Sequence, residues 1–341
     1  MQAYPSHSKY VSLGIAQFAK EGSRLSEIRT ETEREYWRRI NAVIDYIEDH
    51  LNSDLDLDLE HLAGVASFSK YHFHRIFRAI TGETVNDYIR RQRLTRAAHY
   101  LFYNRRDSIG EVALRSGFSS QANFAKAFKK YFGLSPSEVR ELDDVSKIGK
   151  PISKDGKASG KTNGEVAFHN STLKQQLNST RNAAMNVEVK NMPERNVAYI
   201  RHIGPYEDQG ISRAWENLCA WAGPRMLLGA GTEFLGISHD NPDVTPHEKC
   251  RYDACITIPG GTAVEGDIGS KTLEAGQYAV YHCEIENMDF KTHWDRFAGQ
   301  WLPSSGYQPA DGPVFEIYHQ TADQHPEGKM IVDLCMPVKP L

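Results

Sequence analysis

Two different hydrophobic patterns follow one another along the chain. Between residues 36 and 142, apolar residues recur at three and four spacing, beginning with Ile40, Val43 and Ile44, as on the buried face of an amphipathic helix. Beyond residue 185 the period changes, and short β-branched and aromatic runs such as NVAYIRHI and QYAVYHCEI are bounded by glycine and proline, which is typical of strands. The pattern predicts a multi-domain protein, with an all-α domain followed by an α+β domain.

The segment between these two regions has a different composition. Residues 143–184 are rich in Lys, Gly, Ser, Asn and Thr and poor in large apolar residues, which predicts a flexible linker. Residues 1–35 are polar and predict only a mobile arm or short helices. A length of 341 residues also suits two domains. The predicted division is an N-terminal extension (1–35), a helical domain (36–142), the linker, and a C-terminal domain (185–341).

The helical domain contains an internal repeat. The segment LEHLAGVASFSKYHFHRIFRAITG (59–82) aligns with IGEVALRSGFSSQANFAKAFKKYFG (109–133) at an offset of 50 that becomes 51 after the turn. Each copy predicts a short helix, a tight turn and a longer helix that ends at a glycine cap, Gly82 or Gly133. This is the pattern of a helix-turn-helix, so the domain is predicted to hold two of them.

In a helix-turn-helix, the second helix enters the major groove and offers side chains to base edges. Arg75 could bind guanine and Gln121 could bind adenine, each through two hydrogen bonds. Ala122 and Ala125 predict weaker direct readout by the second copy. The candidate base-reading residues are Lys70, Tyr71, His74, Arg75, Gln121 and Lys126. The candidate phosphate contacts are Arg78, Lys129 and Lys130.

Charge separates the two domains. The whole chain has a formal net charge of −4. Residues 70–140 hold 14 Lys and Arg against 5 Asp and Glu, whereas residues 185–341 hold 12 against 22. A basic region suits a polyanion, and an acidic region suits a neutral or cationic partner, although charge alone is also compatible with solvated faces. The two helix-turn-helix copies favour DNA as the polyanion.

Residues 40–142 resemble the DNA-binding domain of the AraC/XylS family of bacterial transcription regulators. The likeness is carried by the second copy and the following KKYFGLSPSEVR, with Gly133, Pro136 and Arg140. The resemblance implies a seven-helix domain that places two recognition helices in successive major grooves on one face of DNA.

The C-terminal domain also repeats itself. LGISH (235–239) matches FEIYH (315–319) at an offset of 80, and each half reads as strand, helix, strand, strand. This predicts two modules related by a pseudo-twofold axis, with a groove where their sheets meet, which is a favoured place for a small ligand. The same offset relates Trp221 to Trp301, Asp253 to Asp333 and Cys255 to Cys335.

The informative difference between the halves is Glu316, which stands where the first half has Gly236. A carboxylate inside an apolar, aromatic strand is costly to bury unless something positive meets it. One interpretation is an ion pair with Arg251 or Arg296, or an exposed face. The other is an acidic recognition point in an aromatic groove, because aromatic faces attract cations. The candidate ligand-binding residues are Glu316, Tyr318, Tyr206, Trp215, Tyr252, Trp294, Phe297 and Trp301.

Residues 186–341 resemble the GyrI-like effector-binding domain. HIGPY (202–206), RYDACI (251–256) and GPVFEIY (312–318) carry the likeness. The resemblance implies that Glu316 is the acid that contacts the ligand. An AraC-type domain followed by a GyrI-like domain is similar to the architecture of Rob-like regulators.

An enzyme is the alternative. The chain has no HExxH, GxSxG or glycine-rich phosphate loop, so we expect no catalytic activity, no cofactor and no metal. Some GyrI-like proteins are implied by family to hydrolyse reactive small molecules, and Glu316 with Tyr318 or Tyr206 could in principle do so. Drug sequestration is a further alternative. Histidines at strand ends, such as His282 and His319, are more often solvent-facing than ligating.

The sequence therefore predicts a ligand-responsive bacterial transcription regulator that binds promoter DNA, RNA polymerase and a small lipophilic or cationic effector. An activator is expected, although the sequence does not distinguish activation from repression. No signal peptide or transmembrane segment is found, and five cysteines without a CxxC pair predict buried reduced thiols, so we expect a cytoplasmic, nucleoid-associated protein. The opposite charges of the two domains motivate an autoinhibitory contact between them. Binding as a monomer is expected.

Overall fold

The computed structural model describes residues 31–52, 57–104, 106–142, 145–148, 185–206, 208–310 and 312–341. Within that part of the chain, the N-terminal half is entirely helical. Its helices are α1 (Glu31–Asp49), α2 (Leu59–Val65), α3 (Lys70–Thr81), α4 (Val85–Tyr103), α5 (Ile109–Arg115), α6 (Gln121–Phe132) and α7 (Pro136–Arg140). The seven-helix arrangement implied by the sequence resemblance is confirmed.

The two predicted helix-turn-helix units are confirmed as α2–α3 and α5–α6. Both recognition helices end as predicted, because Gly82 and Gly133 adopt left-handed backbone at φ 73° and 79°. Serine side chains cap the second unit: Ser108 forms a capping box on α5 and Ser120 accepts from a backbone amide of α6. Local sequence therefore fixes where each of these helices begins and ends.

Helix α4 joins the two units and serves two cores. Its first half packs with α1, α2 and α3 around Phe73 and Phe77, and its second half packs with α5 and α6 around Phe124 and Phe128. Arg93, midway along α4, donates to the carbonyl of Leu51 at 3.0 Å and to that of Gly117 at 2.9 Å. One side chain thus ties the end of α1 to the turn of the second unit.

The C-terminal half is a curved antiparallel sheet with helices on one face. The strands are β1 (Val187–Met192), β2 (Arg195–Ile203), β3 (Phe234–Ser238), β4 (Arg251–Thr257), β5 (Gly269–Leu273), β6 (Gly276–Ile285), β7 (Tyr307–Pro309), β8 (Phe315–Gln320) and β9 (Met330–Pro340). The helices are α8 (Gln209–Ala222) and α9 (Phe290–Arg296). A π-helical turn at Phe297–Trp301 continues α9 into one more α-helical turn at Leu302–Ser304.

The strand order β1-β6-β9-β8-β3-β4-β2-β5 confirms the predicted pseudo-twofold pair of modules. The first module is β2-α8-β3-β4, the second is β6-α9-β8-β9, and the β3–β8 ladder joins them. The sequence did not reveal one exchange of strands. β1 comes before the first module in the chain but pairs with β6 of the second module. β5 comes before the second module but pairs with β2 of the first.

Each face of the sheet has its own core. Helices α8 and α9 pack on one face, over a core that includes Ile200, Tyr252 and Tyr318. The other face holds a smaller core built from alternate residues of the same strands, among them Tyr199 and Ile317. This alternation follows from the two-residue period of a strand, and it confirms that Glu316 and Tyr318 share one face.

Two predicted boundaries need correction. Helix α1 begins at Glu31, inside the predicted N-terminal extension, where Glu35 pairs with Arg38 at 2.7 Å and Arg39 at 2.8 Å. Residues 145–148, predicted as linker, form a 3₁₀ turn whose apolar side chains are buried against the second helical core. The rest of the predicted extension and linker, residues 1–30, 143–144 and 149–184, lies outside the described residues.

All five cysteines are buried, and no disulfide joins them. Burial raises the pKa of the Cys219 thiol to about 11 and that of Cys283 to about 12, which disfavours the reactive thiolate. Among the described helices, none combines the length and apolar character needed to cross a bilayer.

Candidate ligand site and DNA-binding surface

Glu316 lies at the centre of the sheet, where the two modules meet. In the β3–β8 ladder it stands directly opposite Gly236, and it is only 5% exposed. The strand pattern explains its direction, because Phe315 and Ile317 on either side of it belong to the core of the opposite face. The carboxylate therefore points among the helices α8 and α9.

Two neutral groups bind this carboxylate. The indole Nε1 of Trp294 donates to Oε1 at 2.9 Å, and the hydroxyl of Tyr318 donates to Oε2. The Tyr318 hydroxyl also lies 2.9 Å from that of Tyr252, so a relay of hydrogen bonds runs from Glu316 to β4. Burial raises the pKa of Glu316, although the hydrogen bonds from Trp294 and Tyr318 act in the opposite direction.

The ion-pair and exposed-face interpretations of Glu316 are wrong. In the part of the chain that the structure describes, no lysine, arginine or histidine pairs with Glu316, and Arg251 instead pairs with Asp240 at 2.6 Å. Arg296 also forms no pair with it. Because the acid is buried, the exposed-face interpretation fails as well. Glu316 is a buried acid held by neutral donors.

An aromatic wall surrounds Tyr318. The ring of Trp215 meets it edge-on at a centroid distance of 5.8 Å, and Phe290 does so at 6.2 Å. Phe290 was missed by sequence reasoning. Its position one helical turn before Trp294 in α9 was the available signal, because residues i and i+4 share a helix face.

The remaining candidates lie further from the carboxylate. The ring of Tyr206 meets that of Tyr252 at 6.4 Å, and its hydroxyl lies 2.7 Å from the carbonyl oxygen of Asp240. Phe297 is fully buried, and Trp301 stacks on Tyr307 at 6.5 Å. The described ring contacts of Phe297 and Trp301 are with residues other than Glu316 and Tyr318.

The structure brings together five of the eight candidates around the relay, namely Glu316, Tyr318, Tyr252, Trp215 and Trp294. Gly236 makes this arrangement possible. A Cβ atom there would collide with the hydroxyls of both Tyr252 and Tyr318. The glycine on the neighbouring strand is thus a condition for the relay.

A separate cleft lies where α8 meets the N-terminal end of α1. Its volume is about 1610 Å³, and Arg34, Arg38, Arg213 and Glu216 are among its lining residues. It opens widely to solvent and does not include Glu316. Its lining mixes these polar groups with apolar residues such as Ile80, Trp221 and Val264.

The candidate DNA-binding residues lie on the outer surfaces of α3 and α6. Lys70, Arg75, Arg78, Gln121, Lys126, Lys129 and Lys130 are exposed. His74 is half-buried, and the side chain of Tyr71 lies outside the described part of the structure. The opposite faces are core, since Phe73, Phe77, Phe124 and Phe128 are fully buried. Ala122 is exposed and Ala125 half-buried.

Comparisons with known proteins agree with this division. A family model described as a GyrI-like small molecule binding domain matches residues 185–339, and one described as a helix-turn-helix domain matches residues 62–142. Over 159 residues, the chain is 32% identical to the DNA gyrase inhibitor of Escherichia coli strain K12, covering 46% of this chain and 98% of that protein. The chain belongs to the GyrI-like family. The DNA gyrase inhibitor of Citrobacter koseri is 30% identical over 159 residues, with 99% of it covered.

The helical half of this GyrI-like protein is an AraC-type DNA-binding domain. Among solved structures, the DNA-binding domain of AdpA in complex with a target DNA is 31% identical, over 30% of this chain and 89% of that one, with a TM-score of 0.28. The C-terminal domain of EcmrR is 15% identical, over 46% of this chain and 99% of that one, with a TM-score of 0.38.

Proposed function

We propose that this protein is a transcription regulator that binds promoter DNA through α3 and α6 and is controlled by a lipophilic or cationic effector at Glu316. The observation that carries the proposal is a buried acid whose donors in the described part of the chain are neutral, with aromatic rings around it, in the same chain as two helix-turn-helix units.

The chemistry favours a cationic or strongly polarised ligand. A buried carboxylate without a positive partner bears the cost of desolvation, which a ligand cation can offset. Trp215, Trp294 and Phe290 add aromatic faces or edges close to the relay, and a cation over such a face gains roughly 0.5 to 2 kcal/mol. A neutral lipophilic ligand would obtain only the apolar part of this stabilisation.

Access to the carboxylate requires a movement. Glu316 is almost fully buried, and Trp294 occupies one of its oxygens. Trp294 lies on α9, which loses regular geometry in the π-helical turn that follows. Such turns often occur at functional sites because they leave a helix able to shift. Rotation of Trp294 out of its hydrogen bond would open the acid to a ligand.

DNA binding in this proposal depends on exposed basic and polar groups. Arg75 and Gln121 read base edges, helped by Lys70, Tyr71, His74 and Lys126, while Arg78, Lys129 and Lys130 contact phosphates. We extend the proposal to RNA polymerase as a partner, since a regulator at a promoter acts on transcription through the polymerase. The place of action is then the cytoplasm, at the nucleoid.

The test combines a DNA selection with a ligand screen on the full chain. A random duplex pool should yield an asymmetric site with two half-sites about one helical turn apart. The screen measures Tm shifts with aryl trimethylammonium cations and with their tert-butyl isosteres, which have the same shape and no charge. We expect cations to stabilise the protein more than the isosteres do, and the difference to vanish in Glu316→Gln. Equal stabilisation by both series would contradict the charge-recognition proposal.

Hydrolysis is a second candidate because Glu316 has a raised pKa and lies beside the Tyr318 hydroxyl. A carboxylate in that condition can act as a general base. The candidate predicts turnover of activated esters or epoxides by the full chain, lost in Glu316→Gln. Binding without turnover would favour the regulator.

A further inference from the structure

A set of buried ion pairs joins the DNA-binding domain to the GyrI-like domain. Arg251, at the start of β4, is 2% exposed. It pairs with Asp240 of its own domain, and it donates to the Tyr88 hydroxyl of α4 at 2.8 Å and to Glu48 of α1. Burial alone would raise the pKa of Glu48. The positive charges of Arg251 and His239 outweigh this effect and hold the pKa well below its usual range.

A second group on the same sheet face binds Asp45 of α1. Arg201 donates to Asp45 at 2.8 Å and to both oxygens of Asp253, each at 2.7 Å. Asp253 is fully buried and also accepts from Lys271 at 2.5 Å. His239 lies between the domains, 2.8 Å from Asp253. One helix of the DNA-binding domain is therefore held by two arginines of the sheet.

The signs of these contacts are opposite to the net charges of the domains. The basic domain contributes the acids Asp45 and Glu48, and the acidic domain contributes Arg201 and Arg251. Net charge therefore does not set the signs of these pairs, although Arg91 of the basic domain lies 3.9 Å from Asp240 of the acidic domain, as the net charges would favour. The base-reading surfaces remain exposed when the domains are in contact, so docking does not cover them.

Docking reaches both helix-turn-helix units. Ile203 packs against the core of the first unit, and Val244 belongs to the core of the second. Between them, Glu83 before α4 pairs with Lys249 at 2.9 Å and with Arg91 of α4 at 2.8 Å. The GyrI-like domain is thus placed to fix the orientation of one unit relative to the other.

Strand β4 connects this interface to the ligand site, because its side chains alternate. Tyr252 faces α8 and α9 and ends the relay from Glu316, whereas Arg251 and Asp253 on either side of it face α1. We propose that β4 transmits the effector signal: a ligand that takes over the hydrogen bonds of Glu316 displaces the tyrosine pair and shifts the arginine and aspartate pairs that hold α1. This inference rests on the proposed function.

β4 can transmit the signal because the hydrogen-bond path from Glu316 to Tyr252 is short. Tyr318 binds Glu316 and Tyr252 through one hydroxyl, so a new partner for the acid changes both bonds together. Tyr252 is buried and cannot rotate freely without moving its strand. Buried ion pairs with α1 are sensitive to such movement, because their geometry must be good to offset desolvation.

The test perturbs the ligand side and measures the DNA-binding side, without needing the natural effector. In the full chain, Tyr318→Phe removes the shared hydroxyl, and amide hydrogen exchange is followed in residues 33–49 of α1. Tyr278→Phe is the matched control, because Tyr278 belongs to the opposite core. We expect Tyr318→Phe to raise exchange in α1 at least threefold, with β6 unchanged, and Tyr278→Phe to leave α1 unchanged.

The same perturbation is then repeated in the double variant Asp45→Asn, Glu48→Gln, which removes both α1 acids that the sheet arginines hold. If β4 acts through the pairs that Arg251 and Arg201 make with α1, Tyr318→Phe should have little further effect on α1 in that background. Unchanged exchange in α1 for Tyr318→Phe, or an equal increase in both backgrounds, would overturn the route through β4. Either result would leave DNA selection and ligand screening intact, so the proposed function is tested separately.

The second module carries a twin of the Arg201–Asp253–His239 group, and the twin is exposed. Asp333 lies directly opposite His282 in the ladder, as Asp253 lies opposite Arg201. Asp333 contacts His282 at 2.7 Å and His319 at 2.9 Å. At this site a histidine replaces the arginine, so among the described residues no permanent positive charge meets the acid.

We propose that His282, His319 and Asp333 bind a divalent transition-metal ion of the zinc class. Their ligand atoms all lie within 4.8 Å of one another on three adjacent strands. Two imidazoles and a carboxylate are ligands that zinc accepts, and small rotations of the two exposed histidines would bring all three atoms to bonding distance. The ion would supply the charge that Arg201 supplies in the twin.

Zinc chloride and nickel chloride are the probes, added to the full chain and followed by titration calorimetry at pH 7.5. We expect one equivalent to bind at micromolar concentration, with affinity reduced at least tenfold in both His282→Gln and His319→Gln. His72→Gln is the control, since His72 is exposed on α3. Binding that is absent below 100 μM, or equally affected by His72→Gln, would overturn this site and indicate an adventitious ion only.

Discussion

Gly236 and Glu316 face each other across the central ladder of the C-terminal sheet, at equivalent positions of its two modules. The two modules differ at this pair of equivalent positions, and the difference creates the site. The glycine leaves room for two tyrosine hydroxyls, and the glutamate accepts the hydrogen bond that one of them donates. Space from one module and charge from the other together form the site.

The first prediction concerns that space. Gly236→Ala should destabilise the protein by about 1–3 kcal/mol, because the added Cβ forces the hydroxyls of Tyr252 and Tyr318 to move in a packed core. Gly229→Ala is the matched control, since nothing lies within 4 Å of the Cβ there. Denaturant unfolding of both variants measures the difference. Equal stability of the two would show that the tyrosine pair is not tightly packed.

The second prediction concerns the acid and pH. Because the folded protein raises the pKa of Glu316, the folded state binds its proton more tightly than the unfolded state does. That proton is lost as pH rises, and the charged form is then penalised by burial. Glu316→Gln should therefore be more stable than the parent at pH 8, with a difference that shrinks toward pH 4.5. Thermal unfolding across this range measures it, and a difference independent of pH would refute the assignment.

The third prediction concerns the domain interface. Burial and the nearby Lys271 lower the pKa of His239, but Glu48 and Asp253 raise it by more, so that the net shift is upward. Its stabilising contribution is present below the unfolded-state pKa and is lost as pH rises through the folded-state value. The parent should exceed His239→Asn in Tm at pH 6, and by less at pH 9. A constant difference would show that the imidazole does not change charge there.

The fourth prediction concerns DNA recognition. Arg75→Ala should weaken binding to the selected site by about 1–3 kcal/mol and relax the base preference at one position, because a bidentate contact is lost. Lys129→Ala is the comparison. It should weaken binding to all sequences by a similar factor and lower the salt dependence, since it removes a phosphate contact. Fluorescence anisotropy at two salt concentrations separates these outcomes. If Arg75→Ala also lost the Tm shifts that ligands induce, the DNA-binding surface and the ligand site would not be independent.

Much of the local structure could be predicted from the sequence. Helix starts and ends depend on nearby residues such as Ser108 and Gly133, and repeats at fixed offsets reveal equivalent elements without any structure. Glu316 could be recognised as unusual for the same reason. Its neighbours form an apolar strand, and the equivalent residue of the first module is Gly236. Phe290 was not predicted as a site residue, because a single phenylalanine in a short helix has the same sequence pattern as an ordinary core residue.

By itself, then, the sequence determined the two helix-turn-helix units and the twofold α+β domain, because each depends on short-range patterns of apolar residues, caps and repeats. Only the tertiary structure decided which strand covers which module, that Glu316 is buried, and that Arg251 and Arg201 hold Glu48 and Asp45 with signs opposite to the net charges of the domains. Net charge is a sum over a whole surface. A contact depends on the few side chains that the fold places opposite one another, and those cannot be read before the chain is folded.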